Sequence, residues 1–144
     1  QKVKESAKNE AALGKAAAEF KSAFTTLETQ MDTVRKQVVV VKARSKGAYE
    51  TWQKELSAIQ SSSIREKAQD RFTESKKQFD KIIEAVGKAK EETLPFVSGL
   101  KDIVLYLDAD LSNQAVDSLS STIWKLGNQS KAVKSSIGEV KDQI

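Results

Sequence analysis

The chain has 144 residues, enough for one hydrophobic core in a single domain. Hydrophobic residues make up 39% of it and aromatic residues only 6%, with a single proline, which excludes a disordered chain and a β-sandwich and favours helices. It contains neither cysteine nor histidine, so disulfides, thiolate zinc sites and Ser-His or Cys-His catalysis are excluded. A net charge of +4 is too dilute to indicate nucleic acid, which we do not expect as a partner.

The first segment carries the pattern of a coiled-coil seam, with apolar residues at alternating spacings of four and three. It predicts one helix over about residues 3–58, broken in its seam only at Ser45 and Glu55. The predicted seam residues are Leu13, Ala17, Phe20, Phe24, Leu27, Met31, Val34, Val38, Val41, Ser45, Ala48, Trp52, Glu55 and Ile59.

A second helix is predicted over about residues 64–107, where Ser63 and Glu66 form a capping-box pattern at its start. Pro95 lies at an outward position, so we expect a kink there and not the end of the helix. Additional apolar residues flank only the later half of the seam, which predicts that this half contacts two neighbours. The seam residues are Ala68, Phe72, Ser75, Phe79, Ile82, Val86, Ala89, Thr93, Phe96, Leu100, Ile103 and Leu107, and the flanking ones are Ile83, Val97 and Val104.

A third helix is predicted over about residues 113–143, capped by Ser112 or Asn113. Because short turns make neighbouring helices antiparallel, the sequence predicts an all-α, elongated antiparallel three-helix coiled-coil bundle in one domain over residues 1–144. The third helix is shorter and reaches only to the level of Gln78 and Arg44, leaving a two-helix hairpin beyond. Its seam residues are Val116, Leu119, Ile123, Leu126, Ser130, Val133, Ile137, Val140 and Ile144.

The sequence offers little for catalysis. Asp108 and Asp110 form an Asp-x-Asp pair that is suited to Mg²⁺ or Ca²⁺, but turn and helix-terminus roles are the more ordinary use of such a pair. The six glycines are scattered singly, so there is no phosphate-binding loop. We therefore expect no enzyme activity, no cofactor and no metal.

A basic stretch in the first helix is one candidate surface. Five cations and no acid lie between Asp32 and Glu50, and two valines point away from the seam. An exposed apolar pair among cations suits an anionic bilayer surface. The alternative, which we favour, is that these valines pack on the third helix or on a second chain. The candidate residues are Arg35, Lys36, Val39, Val40, Lys42, Arg44 and Lys46.

An apolar turn late in the second helix is the other candidate surface. Its residues cover the whole helix circumference, and Trp124 falls just off the third seam, so we expect a protein partner or a second copy at this end. The alternative is that the first and third helices cover everything. The candidate residues are Ile103, Val104, Leu105, Tyr106, Leu107 and Trp124.

Three segments carry a resemblance to a known family. They are Tyr49-Glu50-Thr51-Trp52-Gln53-Lys54-Glu55-Leu56, Leu94-Pro95-Phe96-Val97, and Leu100 to Leu107 followed by Leu111-Ser112-Asn113-Gln114-Ala115. From about Asp32 onward the chain resembles an uncharacterised bacterial family, domain of unknown function 2959. The resemblance implies a periplasmic or envelope-associated protein, since members often carry a lipoprotein-type signal, but it implies no activity, cofactor or site residue. We expect no targeting segment in this chain.

The sequence thus predicts a structural or protein-interaction helical module of the bacterial envelope. A peripheral binder of anionic membrane surfaces is the first alternative. A sensory or ligand-binding bundle with a cavity near Phe20, Phe96 and Trp124 is the second.

Overall fold

Four helices make up the fold in a computed structural model, which describes the backbone of residues 2–144 and the side chains of residues 9–144. They are α1 (Lys2–Ala58), α2 (Ser62–Ala109), α3 (Asn113–Ser118) and α4 (Ser120–Asp142). The described chain contains no strand, so the predicted all-α class is confirmed.

The second helix begins at Ser62, two residues earlier than predicted. Ser61, not Ser63, is the N-cap, and its hydroxyl accepts a hydrogen bond from the Ile64 N–H at 3.4 Å. The Arg65 guanidinium reaches back and donates from Nε to the Ile59 carbonyl at 2.8 Å. Three consecutive serines offer three candidate caps, and the structure uses the first.

The predicted third helix, 113–143, is wrong as a single helix because Leu119 separates α3 from α4. The hydroxyls of Ser118 and Ser120 donate to the carbonyls of Ala115 and Asp117, three residues back. Such local bonds compete with regular helix hydrogen bonding. The predicted cap is confirmed, since Ser112 Oγ accepts from the Ala115 N–H at 3.1 Å.

The α2 seam is the best predicted part of the chain. All twelve seam residues are buried or half-buried, and so are the three flanking ones. Pro95 lies within α2 without ending it. A helix with this wide apolar stripe has two neighbours, and α2 packs against both α1 and α4 while α1 and α4 hardly contact each other.

Polar contacts between the helices show their directions. Tyr49 pairs with Ser75 and Lys21 with Asp108, so α1 and α2 run in opposite directions. Lys88 Nζ contacts Glu139 Oε2 at 2.8 Å, and Gln78 Nε2 donates to the Gln143 carbonyl at 3.0 Å. The second of these contacts places the end of α4 at the level of Gln78, as predicted.

The core lies where all the helices meet. Ile103 and Leu107 of α2 pack with Leu126 of α4, and we call these three residues the bundle-end cluster. Gly99 lets α4 approach closely, because a Cβ there would lie 2.5 Å from Leu126 Cδ2. Partly buried side chains complete the core: Phe20, Phe96, Leu100, Val116 and Leu119.

The α1 seam departs from its prediction in two places. Val34 and Val41 are 56% and 50% exposed, so they are not core residues. Beyond Ser45 the residues that face α2 shift by one position. Ala48 and Glu55 are exposed, whereas Tyr49 is half-buried and Leu56 is buried. Two consecutive spacings of four, to Ser45 and then to Tyr49, interrupt the alternation of four and three and account for the shift.

An aromatic cluster fills the two-helix hairpin beyond α4. The Tyr49 ring meets Phe72 edge-on with centroids 5.7 Å apart, and Trp52 meets Phe72 similarly at 5.4 Å. The Tyr49 hydroxyl donates to the Ser75 carbonyl at 3.0 Å. The shifted register therefore brings an aromatic residue into the seam where the predicted one had alanine.

Candidate functional site

Five valines in the middle of α1 form an apolar surface: Val34, Val38, Val39, Val40 and Val41, here called the valine segment. Val38 is half-buried, and the other four are between 46% and 64% exposed. Four consecutive residues point around the whole circumference of a helix, so a single neighbour such as α2 covers only one of them. Val39 and Val40 are exposed, so the packing on the third helix that the sequence favoured is not observed.

Cations surround the valine segment. Arg35, Lys36, Lys42, Arg44 and Lys46 are all exposed. Lys36 Nζ lies 2.7 Å from Asp32 Oδ2, and Lys46 Nζ lies 4.0 Å from Glu50 Oε1. Both acids are therefore at the ends of the stretch, and only Lys42 and Arg44 have no acidic residue within four positions in the sequence.

Asp32 marks the N-terminal edge of this surface. The hydrogen bond from Lys36, together with the positive charges of Lys36 and Arg35, holds the pKa of Asp32 below its usual value. Both partners are exposed, so solvent screening keeps the contribution of this pair to stability small.

The predicted partner surface near residues 103–107 is divided by the fold. Ile103 and Leu107 are buried in the bundle-end cluster, so their assignment to a contact surface is wrong. Val104 is half-buried, whereas Leu105 and Tyr106 are exposed. The helix is apolar around its circumference here because α2 packs on two sides, and the remaining side faces solvent.

Trp124 lies on the outer face of α4. It precedes Leu126 by two residues, or about 200° around a helix, so it lies on the face of α4 away from the core. Its side chain is 73% exposed. The predicted cavity near Phe20, Phe96 and Trp124 is therefore wrong, because the two phenylalanines pack on the bundle-end cluster while the tryptophan faces solvent.

The Asp-x-Asp pair has structural partners. Asp108 forms an ion pair with Lys21 that ties α1 to α2, and Asp110 is the C-cap of α2, with its N–H donating to the Tyr106 carbonyl. Within the side chains that the structure describes, no three acidic residues lie close enough to share a metal ion. These contacts agree with structural roles of Asp108 and Asp110 at the end of α2 and not with binding of a cation.

A shallow cleft lies between α2 and the end of α4. Its volume is about 740 Å³, and it is open to solvent. Lys81, Lys88, Glu91, Glu139 and Asp142 are among its lining residues. The Lys88 and Glu139 side chains pair across it, and the resulting hydrogen bond raises the pKa of Lys88 above its ordinary value. This surface is a charged helix–helix margin.

Across the part of the chain that the structure describes, no helix is both long enough and apolar enough to cross a bilayer. Every buried side-chain nitrogen or oxygen in residues 9–144 has a hydrogen-bond partner.

Sequence reasoning missed Tyr49 as a packed residue between the helices, and it missed Val34, Val41 and Ile137 as surface residues. The first had a detectable signal, since Ser45, Tyr49, Trp52, Leu56 and Ile59 also follow spacings of four and three. The two valines gave no such signal, because they fit the predicted seam and only the position of a neighbouring helix leaves them exposed.

Comparison with known proteins gives one result. Neither the curated proteins nor the solved structures compared with the chain produced a match. One family profile matches residues 2–144, which extends the resemblance over the first thirty residues as well. The chain belongs to the family described as "Protein of unknown function (DUF2959)".

Proposed function

We propose that this chain is a non-enzymatic helical module that binds a protein partner through the valine segment. The observation that carries the proposal is the exposure of Val34, Val39, Val40 and Val41 within two turns of one helix. Contiguous apolar surface of this kind marks interaction sites, whereas single exposed apolar residues are ordinary. The absence of histidine and cysteine from the sequence supports the non-enzymatic part.

The proposed scaffold is an antiparallel three-helix coiled coil in which α2 lies between α1 and the α3/α4 pair. Its support is that every α2 seam residue is buried or half-buried and that the contacts of α2 with α1 and with α4 are those of antiparallel neighbours. The proposed location is the bacterial envelope, and its support is the resemblance described above.

Site-specific photo-crosslinking in cells tests the interaction. A photoreactive phenylalanine at position 39 should give a discrete higher-mass product, and the same residue at position 54, which is also exposed on α1, should not. Failure to crosslink at positions 39, 40 and 41 would overturn the proposal. A product of twice the monomer mass would identify a second copy as the partner.

Binding to an anionic membrane surface is a second candidate function. It is favoured by the exposure of Val39 and Val40 within an acid-free basic stretch. Flotation with anionic and neutral liposomes, at low and high salt, tests it. Salt-sensitive binding to anionic liposomes should disappear when Lys42, Arg44 and Lys46 are replaced by Glu, and no flotation under any condition would exclude this function.

A further inference from the structure

One row of α1 begins in the core and ends in solvent. Phe20, Leu27, Val34 and Val41 are spaced by seven, so they lie on one side of a helix that packs in a coiled coil. Phe20 packs against the bundle-end cluster, in which Leu126 of α4 lies with two residues of α2, and we infer that this row is on the side of α1 nearer to α4. Leu27 is half-buried, and the next two residues of the row are exposed. The row therefore loses its cover along its length.

The opposite wall belongs to α4. Ile137 is 44% exposed although it lies in the predicted seam, and Val140 beside it is half-buried. The Lys88 contact with Glu139 places this part of α4 near residue 88 of α2. The pairings of Lys21 with Asp108 and of Tyr49 with Ser75 place Val34 and Val41 at the same level of α2.

The two walls therefore border an open α1–α4 cleft with α2 as its floor. Helices α1 and α4 hardly contact each other, although both pack on α2. Each wall presents apolar side chains: Val34 and Val41 on α1, and Ile137 on α4. A cleft of this form has the shape of a helical bundle that lacks one helix.

The charge on both walls is positive. The stretch between Asp32 and Glu50 holds five cations and no acid, and the stretch between Asp117 and Glu139 holds Lys125, Lys131 and Lys134 and no acid. Closing α1 onto α4 would bring these like charges together, and so would the docking of a second copy by the same cleft. A partner whose charge complements the cleft is therefore an acidic polypeptide.

We propose that the α1–α4 cleft binds an amphipathic helix of a partner protein, with an apolar stripe flanked by aspartate and glutamate. The stripe packs on Val34, Val41 and Ile137, and the acidic flanks pair with cations of the rims, such as Arg44 and Lys134. This is the helix-in-groove mode of recognition. The inference rests on the proposed function and adds to it the conformation and charge of the partner.

Two designed peptides of about 20 residues test the inference, one with leucine at its apolar heptad positions and glutamate beside them, the other with lysine in place of glutamate. Fluorescence anisotropy with the full chain should show the glutamate peptide binding about tenfold or more tightly than the lysine peptide, with the difference reduced by salt. Equal binding of the two peptides would overturn the charge assignment.

Variants locate the site. Val41→Gln with Ile137→Gln should weaken binding of the glutamate peptide about tenfold or more, since it removes apolar contacts from both walls. Trp124→Gln is the matched control on the outer face of α4 and should leave binding unchanged. Because all three side chains are at least 44% exposed, circular dichroism should show each variant folded. Unchanged binding of the double variant would overturn the site.

Vesicles of phosphatidylglycerol distinguish the other class of partner. Binding of the chain to these vesicles, with no binding of either peptide, would overturn the helix proposal in favour of a lipid surface. Crosslinking at position 39 in cells that persists when the glutamate peptide fails to bind would overturn this inference and leave the proposed function intact.

Discussion

The bundle-end cluster and the valine segment are both apolar and both belong to heptad seams, yet only the first is covered. Ile103, Leu107 and Leu126 lie where α1, α2 and α4 meet, whereas Val34 and Val41 lie where α1 has only one neighbour. The difference shows that a seam specifies which side chains can be buried and that the number of neighbouring helices decides which ones are. Substitutions in the two regions should therefore differ in their effect on stability.

The largest effect is expected at the bundle end. Leu126→Ala should lower the free energy of unfolding by about 3 kcal/mol, because it removes buried methyl groups and leaves a cavity beside Ile103 and Leu107. Chemical denaturation followed by circular dichroism measures this. Leu105→Ala, at an exposed position of α2, is the control and should change stability by less than about 0.5 kcal/mol. Similar losses for both variants would contradict the assigned core.

The next largest effect on stability is expected at Tyr49, where the α1 seam shifts by one residue. Tyr49→Ala should cost about 2 kcal/mol, since it removes the contact with Phe72 and the hydrogen bond to Ser75. Ala48→Gln should be nearly neutral, because Ala48 is exposed one residue outside the seam. Denaturation midpoints of the two variants check this. A neutral Tyr49→Ala with a damaging Ala48→Gln would restore the unshifted seam.

A pair of glycines in α2 probes the close approach of α4. Gly99→Ala should leave the protein about 1–3 kcal/mol less stable than Gly87→Ala, because a new Cβ at position 99 forces Leu126 to move while position 87 has open space. Gly87→Ala alone should raise stability by up to about 1 kcal/mol through helix propensity. Thermal unfolding of the two variants measures the difference. Equal shifts would show that Leu126 moves aside without a cost in stability, and they would contradict the expected clash.

The valine segment should tolerate truncation. Replacing Val39, Val40 and Val41 together by Ala should leave stability unchanged or raise it by about 1 kcal/mol, because exposed valine is a poorer helix former than alanine. The same denaturation measurement applies, and in-cell crosslinking at a neighbouring position should be lost. A loss of several kcal/mol would mean that these valines are covered within the monomer.

The smallest effect concerns the cleft between α2 and α4. The hydrogen bond to Glu139 raises the pKa of Lys88 above its usual 10.5. Because the folded pKa is raised, the stabilisation from this pair is complete below the unfolded pKa and is lost as the pH rises through the folded value. NMR titration of Lys88 should show its pKa falling toward the usual value in Glu139→Gln and unchanged in Asp80→Asn. An unchanged pKa in Glu139→Gln would contradict the pairing.

The spacing of apolar residues along the sequence predicted the helical class and the position of α1 and α2. Every seam position of α2 was predicted, and from Gln78 onward the second neighbour widens the buried stripe, so even an approximate seam falls within it there. The α1 seam failed at Ala48 and Glu55 because one neighbour leaves a narrow stripe, in which a shift of one residue changes burial. The division at Leu119 was missed because it depends on local bonds of Ser118 and Ser120 and not on the apolar period.

The candidate surfaces were predicted less well. The cations around Val39 and Val40 were found because a sequence displays charge directly. The residues around Ile103 were misassigned because an apolar turn looks the same in sequence whether two helices or a partner cover it. Ile137 and Val41 were missed for the converse reason, since only the arrangement of α1 and α4 around α2 leaves them open.

The unequal lengths of the helices also set a distance. α4 ends at the level of Gln78, and α2 begins at Ser62, so the hairpin extends sixteen residues, or roughly 24 Å, past the last residues of α4. Aromatic contacts among Tyr49, Trp52 and Phe72 hold the two helices of this extension together. A molecule attached at the turn near Ser61 is therefore held at a fixed separation from one bound beside α4. Insertion or deletion of whole heptads in both helices of the extension would change that separation in steps of roughly 10 Å while keeping the seams in register.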